Sequence, residues 1–392
     1  MLVSIIIGER KRVSIMLFAE PDLDAKEAEV VHEIEDLRRA LGRQLFAPHR
    51  WFGSLRRLSF ARAIQGSNSI EGFSAALDDV VAAAVGEEPL DADTETRLAL
   101  SGYRAAMTYV LQLAGDPDFA YSEQLLKSLH FMMTSYDLKS RPGLWRAGSI
   151  FVRDEGTDRV VFEGPDVELV PDLMAELAES LRRPGGGPVL VRAAMAHLDL
   201  VMVHPFRDGN GRMARCLQTL VLAREGILAP QFCSVEEYLG RNTRDYYDVL
   251  GLVGAGSWHP ENDARPWVRF MLTAHLRQAR TLQRRIKESE ELWVELDGLA
   301  RRHALPERAI AAMFDAAQGL RVRNATYRAM QEEEEISEQA AGRDLRGLVE
   351  AGLLVPSGEK RGRFYTASPD LRALWVGIHA RRDVRDDDDP FA

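Results

Sequence analysis

Residues 204–215 of the chain read HPFRDGNGRMAR, a stretch that combines an imidazole, a carboxylate and two glycines on either side of an asparagine. Before it, residues 192–203 have the apolar spacing of a helix, which Pro205 and Gly209 would end. After it, residues 210–224 have a second helical pattern, again with apolar residues on one face. The stretch is therefore predicted to be a short loop between two helices.

The residue types in this loop fit a phosphate site. Gly209 and Gly211 can adopt positive φ and allow backbone N–H groups to converge on an anion. The N-terminus of the second helix adds unpaired N–H donors and the positive end of the helix dipole. Arg212 and Arg215 are three residues apart, so they share the helix face near that end.

Asp208 and His204 would add a metal ligand and a base to this cradle. A carboxylate is a hard oxygen ligand suited to Mg2+ that is shared with phosphates. Imidazole has a pKa suited to accepting a proton near neutral pH. A lone histidine before a glycine turn is usually structural, but all of these features at fixed spacing indicate nucleotidyl or phosphoryl transfer.

The stretch resembles the Fic motif, H-x-F-x-D/E-G-N-G-R-x-x-R, at every defined position. The resemblance implies a protein adenylyltransferase, which moves AMP from ATP to a protein. It also implies a role for each motif residue: His204 as the base for the target hydroxyl, Phe206 as a core anchor of the loop, Asp208 as the Mg2+ ligand, Gly209, Asn210 and Gly211 as the anion hole, and Arg212 and Arg215 as ligands of the β- and γ-phosphates.

A second segment, SNSIEG at residues 67–72, is informative because it occurs in the same sequence as this motif. Ser67 and Glu71 are four residues apart and lie on one face of a predicted helix over residues 54–70. Taken alone, they would be solvent-facing polar residues. The segment resembles the inhibitory motif of Fic proteins, S/T-x-x-x-E-G/N. This resemblance implies that Glu71 pairs with Arg215, occupies the γ-phosphate site and prevents ATP from binding productively.

Residues 150–152 and 160–162 are two short β runs around a polar turn, which predicts a hairpin. By residue type it is an ordinary edge hairpin. In Fic proteins a hairpin at this position, the flap, holds the target segment by main-chain pairing. Pro142, Gly143 and Arg146 match the P-G-x-x-R pattern that precedes the flap.

Two further sets of residues have expected roles. Asn242, Tyr246 and Tyr247 resemble the family's segment beside the adenosine. We expect His130 to be a packing histidine rather than a catalyst.

The composition limits the number of domains, the kinds of partner and the location that the chain is expected to have. The chain has 392 residues, 46% hydrophobic residues and a net charge of −10, which fits two or three globular domains and gives no overall nucleic-acid signature. Two cysteines make neither a disulfide framework nor a metal site, so a cytoplasmic location is expected. The apolar run at residues 2–7 is too short for a membrane span and is followed, not preceded, by charges. We expect a strand or a leader there and no membrane partner.

The C-terminal part is predicted to be a separate unit of three helices and a hairpin, which resembles a winged helix-turn-helix. A DNA reader would present Arg343 and Arg346 from the third helix. A protein-docking or dimerisation module is the favoured interpretation, because the glutamates at residues 332–335 would repel phosphates. DNA binding is therefore expected to be weak, and the wing residues that would carry it are Lys360, Arg361 and Arg363.

The sequence as a whole predicts a mainly α protein, a Fic-type helical bundle with a hairpin flap and a C-terminal winged helix. The predicted reaction is Mg2+-dependent transfer of AMP from ATP to a Ser, Thr or Tyr hydroxyl of a target protein. Self-modification and a homodimer are also expected. Removal of AMP, transfer of another nucleotide or phosphate group, and a DNA-binding regulator with a nucleotide-sensing Fic core stay open as alternatives. The predicted divisions are residues 1–90 with the inhibitory helix, 91–290 as the catalytic core, 291–305 as a helical connector, 306–370 as the winged helix and 371–392 as a tail.

Overall fold

The computed structural model describes residues 17–46, 49–153, 156–183, 187–331, 335–359, 362–381 and 389–392. Within these ranges the chain is mainly helical, with two antiparallel two-stranded sheets, so the predicted fold class is confirmed. No helix in the same ranges is long and apolar enough to cross a membrane. Several predicted features lie outside the described residues: the N-terminal apolar run, part of the hairpin turn, residues 332–334, and Lys360 and Arg361.

The first five helices form the N-terminal part of the bundle. Side chains cap three of them, since Asp24, Asp93 and Ser122 accept from the N–H groups of Glu27, Thr96 and Leu125, respectively. Helix α4 (Thr94–Leu113) buries Tyr103 completely, as expected of an apolar stripe that faces the core. The five helices are α1 (Ala25–Phe46), α2 (Phe52–Ile70), α3 (Leu77–Ala84), α4 (Thr94–Leu113) and α5 (Glu123–Thr134).

The central part begins with the predicted hairpin and continues through the helix pair that holds the motif. In α7, 12 of the 15 residues are buried, so this helix runs through the middle of the core. The elements are β1 (Phe151–Arg153), β2 (Val160–Glu163), α6 (Val170–Arg182), α7 (Val189–Val203), α8 (Asn210–Ala223), α9 (Pro230–Cys233), α10 (Glu236–Arg241) and α11 (Thr243–Gly254).

Helix α2 lies unusually close to α10, and two glycines allow it. A Cβ at Gly66 would lie 2.3 Å from the Glu236 carbonyl oxygen, and a Cβ at Gly240 would lie 2.7 Å from the Gly66 Cα. A larger residue at either position would force the two helices apart. This contact fixes the position of the part of α2 that bears Ser67 and Glu71.

The C-terminal part follows a single long helix, α12 (Arg265–Arg302), so residues 291–302 of the predicted connector continue the helix that begins in the core. The predicted order of three helices and a hairpin is present. One further helix, α16 (Pro369–Ala380), extends into the predicted tail; Ser368 caps it, and its Leu371 and Ile378 are buried. The elements are α13 (Ala309–Ala317), α14 (Asn324–Ala329), α15 (Glu338–Glu350), β3 (Leu354–Ser357), β4 (Phe364–Ala367) and α16 (Pro369–Ala380).

Candidate active site

His204 ends α7 in a left-handed conformation, with φ 50° and ψ 57°. This conformation costs a non-glycine residue about 1–3 kcal/mol, so the surrounding contacts must hold it. The ring Nδ1 lies 3.0 Å from the Val201 carbonyl oxygen, which can only accept a hydrogen bond. Nδ1 therefore carries the hydrogen, and the lone pair of Nε2 is left to accept a proton.

The environment of His204 keeps the ring neutral near pH 7. Burial is the largest effect and lowers the pKa of His204. The Val201 carbonyl, Glu71 and Asp208 raise this pKa, and Arg146 lowers it, but the net shift is below the usual histidine value. A neutral imidazole is the form that a general base requires.

The main chain of the loop is closed by Asn210 and Phe206. The Phe206 N–H donates to Asn210 Oδ1 at 2.8 Å, and Asn210 Nδ2 donates to the Phe206 carbonyl at 3.0 Å. The Phe206 ring is fully buried and stacks on the His130 ring with 3.7 Å between centroids and an interplanar angle of 4°. The structure thus places the Asn210 side chain on the loop's own backbone.

His130 is more closely involved in the site than its expected packing role suggests. Its Nδ1 accepts from the Gly143 N–H at 2.9 Å, so Nε2 carries the hydrogen and donates to the Asp208 carbonyl at 2.9 Å. Burial lowers the pKa of His130 to about 4, so the ring is neutral. His130 therefore joins α5, the segment before the hairpin and the motif loop. An isolated histidine in a helical pattern gives no sequence signal for these long-range contacts.

Arg215 is completely enclosed and is held from the facing helix α2. Its Nε donates to Ser67 Oγ at 2.8 Å, and its Nη2 donates to the Ser67 carbonyl at 2.9 Å and to Glu71 Oε1 at 2.6 Å. Burial raises the pKa of Glu71, but Arg215, with Arg212 and His204, outweighs burial and holds this pKa below its usual value. Glu71 is therefore an ionised carboxylate paired with Arg215.

The Glu71 carboxylate lies directly against the glycine cradle. Gly209 caps α8 with φ 78°, and a Cβ at Gly211 would lie 2.4 Å from Glu71 Oε1 and 3.1 Å from Arg215 Nη1. Among the described residues, buried Arg215 Nη1 has no hydrogen-bond partner. An unpaired buried donor is costly, so a cradle that contains one is suited to a further anion.

Asp208 and Arg212 lie next to each other, although Arg212 is buried and Asp208 is exposed. Arg212 Nη2 is 3.4 Å from Asp208 Oδ2, and its Nη1 donates to the Tyr136 hydroxyl at 3.3 Å. The Arg212 guanidinium also lies 5.1 Å from the centroid of the Phe73 ring. The Asp208 side chain is 54% exposed and faces a cleft of about 380 Å³. The cleft is lined by Phe73, Thr94, Glu95, Leu98, Thr134, Tyr136, Asp137, Ser140 and Asp208.

The predicted nucleotide contacts Asn242 and Tyr246, and the neighbouring Tyr247, differ in their exposure. Tyr246 is 1% exposed and its hydroxyl donates to His197 Nε2 at 3.0 Å, so it packs behind Arg215 and not on the surface of the site. The neighbouring Tyr247 is 48% exposed, and its hydroxyl donates to the Ile70 carbonyl at 3.3 Å. Asn242 is half-buried and donates to the Tyr238 carbonyl at 2.8 Å. Helical spacing put both tyrosines near the site, but only packing decides which one faces it.

Comparison with known proteins identifies the motif region. The sequence model of the Fic/DOC family matches residues 120–222, so this part of the chain is a Fic domain. The chain is 42% identical over 80 residues to protein adenylyltransferase fic-1 of Caenorhabditis briggsae, which is 20% of this chain and 13% of that protein. It is 38% identical over 79 residues to protein adenylyltransferase Fic of Nematostella vectensis, 20% of this chain and 16% of that one.

Solved structures extend the similarity in fold beyond the Fic domain. A Fic family protein from Desulfovibrio desulfuricans has a TM-score of 0.57 and 22% identity, with 89% of this chain and 98% of that chain covered. Fic-1 of Caenorhabditis elegans has a TM-score of 0.53 and 22% identity, with 68% and 74% covered. The chain therefore shares its fold around the Fic domain with these two proteins.

Proposed function

We propose that the protein is an adenylyltransferase that moves AMP from ATP to a hydroxyl group of a protein, and that Glu71 inhibits it. The proposal rests on the position of the His204 ring beside an anion cradle. His204 presents a neutral ring with an available Nε2 lone pair at a loop where two glycines, a helix N-terminus and the unpaired Arg215 Nη1 form an anion cradle. The names of the relatives that match the Fic domain support the same reaction.

In the proposed reaction, a Ser, Thr or Tyr hydroxyl of the target attacks the α-phosphate of ATP. His204 Nε2 takes the hydroxyl proton as the new O–P bond forms and the bond to pyrophosphate breaks. The N–H groups at the start of α8, from the capping Gly209 to Gly211, stabilise the negative charge on the phosphates. Arg212 and Arg215 neutralise the leaving pyrophosphate.

Asp208 fits the Mg2+ that nucleotide transfer requires. Within the described residues, no group of three or more His, Cys, Asp or Glu side chains could hold a metal ion by itself. Mg2+ normally takes one or two carboxylates and completes its shell with phosphate oxygens and water. The exposed Asp208 carboxylate beside the cradle matches that requirement. When bound, the ion would neutralise phosphate charge and orient the leaving group.

Glu71 would act by occupying the cradle that ATP needs. Its Oε1 lies only 2.4 Å from the position that a Cβ on Gly211 would take, and it pairs with Arg215 at 2.6 Å. A γ-phosphate placed beside Arg215 would meet this carboxylate at close range, and two anions repel each other in such a buried setting. The pair must therefore open before ATP can bind in a reactive position.

The test uses the Glu71→Gly variant incubated with Mg2+ and ATP labelled at either the α- or the γ-phosphate. We expect covalent label on protein from the α-phosphate only, with a mass increase of one AMP group. Adding His204→Ala should lower the rate about 10²–10⁴-fold, while ATP binding, measured by calorimetry, changes little because His204 lies outside the cradle.

His259→Ala is the matched control, since this histidine is exposed and pairs with Glu261 on the surface. Its rate should equal that of the parent. Label from the γ-phosphate would show phosphoryl transfer in place of AMP transfer. An undiminished rate in the His204→Ala variant would remove His204 from the role of base.

A further inference from the structure

Arg146 is buried, at 6% exposure; burial lowers its pKa, and the Asp166 and Glu168 carboxylates oppose that effect. All of its side-chain hydrogen bonds end on main-chain carbonyls. Nε donates to His204 at 3.0 Å, Nη1 to Gly148 at 2.7 Å and Nη2 to Pro165 at 2.5 Å. Its own backbone N–H donates to the Pro205 carbonyl at 2.8 Å.

These carbonyls belong to three separate parts of the site. Gly148 precedes β1, Pro165 follows β2, and His204 is the residue at which α7 ends. The guanidinium is planar and its donors have fixed directions. One side chain therefore holds both ends of the hairpin and the main chain of His204 in a fixed relation.

The hairpin itself has few contacts that could fix its position. Its two strands pair over three positions, with an irregularity between Val152 and Arg153. Phe151, Val160 and Val161 are exposed large hydrophobic residues. A short two-stranded hairpin is marginally stable by itself, so its position depends on its ends. Besides Arg146, the Glu163 N–H donates to the Gly256 carbonyl at 3.0 Å and Phe162 packs on Gly254.

We propose that Arg146 is a positioning residue of the transfer reaction, which sets the distance between the hairpin that receives the target and the His204 ring that deprotonates it. This inference rests on the proposed function. Lysine carries the same charge but has one nitrogen in place of a fork, so it cannot reach all three carbonyls in these directions. A displacement of about 1 Å between reacting groups costs on the order of 10²-fold in rate.

The charge of Arg146 provides a readout that a purely structural role would not affect. The charged groups facing His204 are Glu71 from α2, Arg146 from the segment before the hairpin, and Asp208 from its own loop. Arg146 lowers the pKa of His204, and the two carboxylates raise it. A neutral residue at position 146 should therefore raise this pKa, whereas lysine should leave it nearly unchanged.

The experiment compares Arg146→Lys and Arg146→Met in the Glu71→Gly background, with Arg301→Lys as the control. Arg301 lies near the C-terminal end of α12, is exposed, and pairs with Asp297 at 2.7 Å. Self-modification with α-labelled ATP gives the maximal rate and the ATP concentration at half-saturation. Thermal unfolding checks the fold, and NMR titration of the His204 ring, assigned by comparison with His204→Ala, gives its pKa without any need for activity.

We expect Arg146→Lys to lower the maximal rate about 10²-fold, with half-saturation by ATP and the His204 titration nearly unchanged. Arg146→Met should lose the rate as well and should titrate His204 at higher pH. Arg301→Lys should match the parent. The proposal would be overturned if both Arg146 variants reacted at the parent rate, or if they lost rate and ATP binding to the same extent. If the Glu71→Gly parent transfers nothing, the proposed function fails, and an unchanged His204 titration in Arg146→Met would then overturn this inference separately.

Discussion

The two ends of helix α2 each make a buried arginine–carboxylate contact, and the two contacts differ in what surrounds them. At its C-terminal end, Glu71 receives Arg215 from α8 at 2.6 Å. Toward its N-terminal end, Arg57 donates to both carboxylate oxygens of Asp315 in α13 at 3.0 Å. The first contact joins α2 to the Fic loop, and the second joins α2 to the C-terminal unit.

Exposure distinguishes the two carboxylates. The Glu71 side chain is 22% exposed and borders the cradle, and its pKa lies below the usual value because Arg215 and its neighbours outweigh burial. The Asp315 side chain is 1% exposed, and burial raises its pKa despite the lowering effect of Arg57. Glu71 is therefore the carboxylate that an ATP phosphate would displace in the proposed mechanism, whereas we expect the enclosed Arg57–Asp315 pair to be structural.

The comparison also shows that the C-terminal unit is attached to the rest of the protein. Arg321 of this unit contacts Asp78 and lies 3.4 Å from Asp79, both in α3. It also lies 2.6 Å from Asp91 in the connection after α3. The predicted winged helix remains a prediction, but the described part of this unit packs on the N-terminal helices and cannot be assumed to fold alone.

The largest predicted effect is on stability, at the enclosed contact. Asp315→Ala leaves the Arg57 charge buried without its partner, which should destabilise the protein by about 3–5 kcal/mol. Urea unfolding measures the loss, and Asp370→Ala, an exposed acid of the same unit, is the control. A fully stable Asp315→Ala protein with increased AMP transfer would contradict the structural role of this contact and would indicate a regulatory one.

The next effect is on activity, at the contact beside the cradle. Glu71→Gly should raise self-modification roughly 10–100-fold, since a charge-assisted hydrogen bond contributes about 1.5–3 kcal/mol and no longer has to open. Saturating ATP should also stabilise this variant against heat more than it stabilises the parent. Thermal unfolding with and without ATP tests this, with Glu95→Gly as a control from the nearby cleft. Equal ATP stabilisation of variant and parent would contradict the proposed inhibition.

The smallest predicted effect is on the pH dependence of AMP transfer, which tests the role of Glu71 beside the cradle. Transfer needs neutral His204, so activity should fall as the pH falls through the His204 pKa, which burial places below the usual value. Glu71 raises that pKa, so removing it should move the acid limb of Glu71→Gly still lower. Because the pKa of Glu71 itself is lowered, inhibition of the parent should not change between about pH 6 and 8. Rate–pH profiles of both proteins test this, and an acid limb above the usual histidine value would contradict it.

The motif loop shows how much of the candidate site can be predicted from local sequence. The helix–loop–helix and the positive φ of Gly209 follow from residue types at fixed spacing, whereas Gly211 lies inside α8 without a positive φ. The pairing of Glu71 with Arg215, 144 positions apart, was expected only through resemblance, and the contact of Ser67 with Arg215, 148 positions apart, was not predicted. No periodic pattern encodes such a distance.

The sequence by itself determined the helical character of the chain, the hairpin and the residue types that can hold a phosphate and accept a proton. Tertiary structure alone decided that Tyr246 packs behind Arg215 while Tyr247 stays exposed, that His130 and Arg146 hold the motif loop through its carbonyls, and that α16 packs on the body. The physical reason is that helix periodicity fixes which side chains share a face, whereas burial and hydrogen-bond partners depend on which distant segment covers that face.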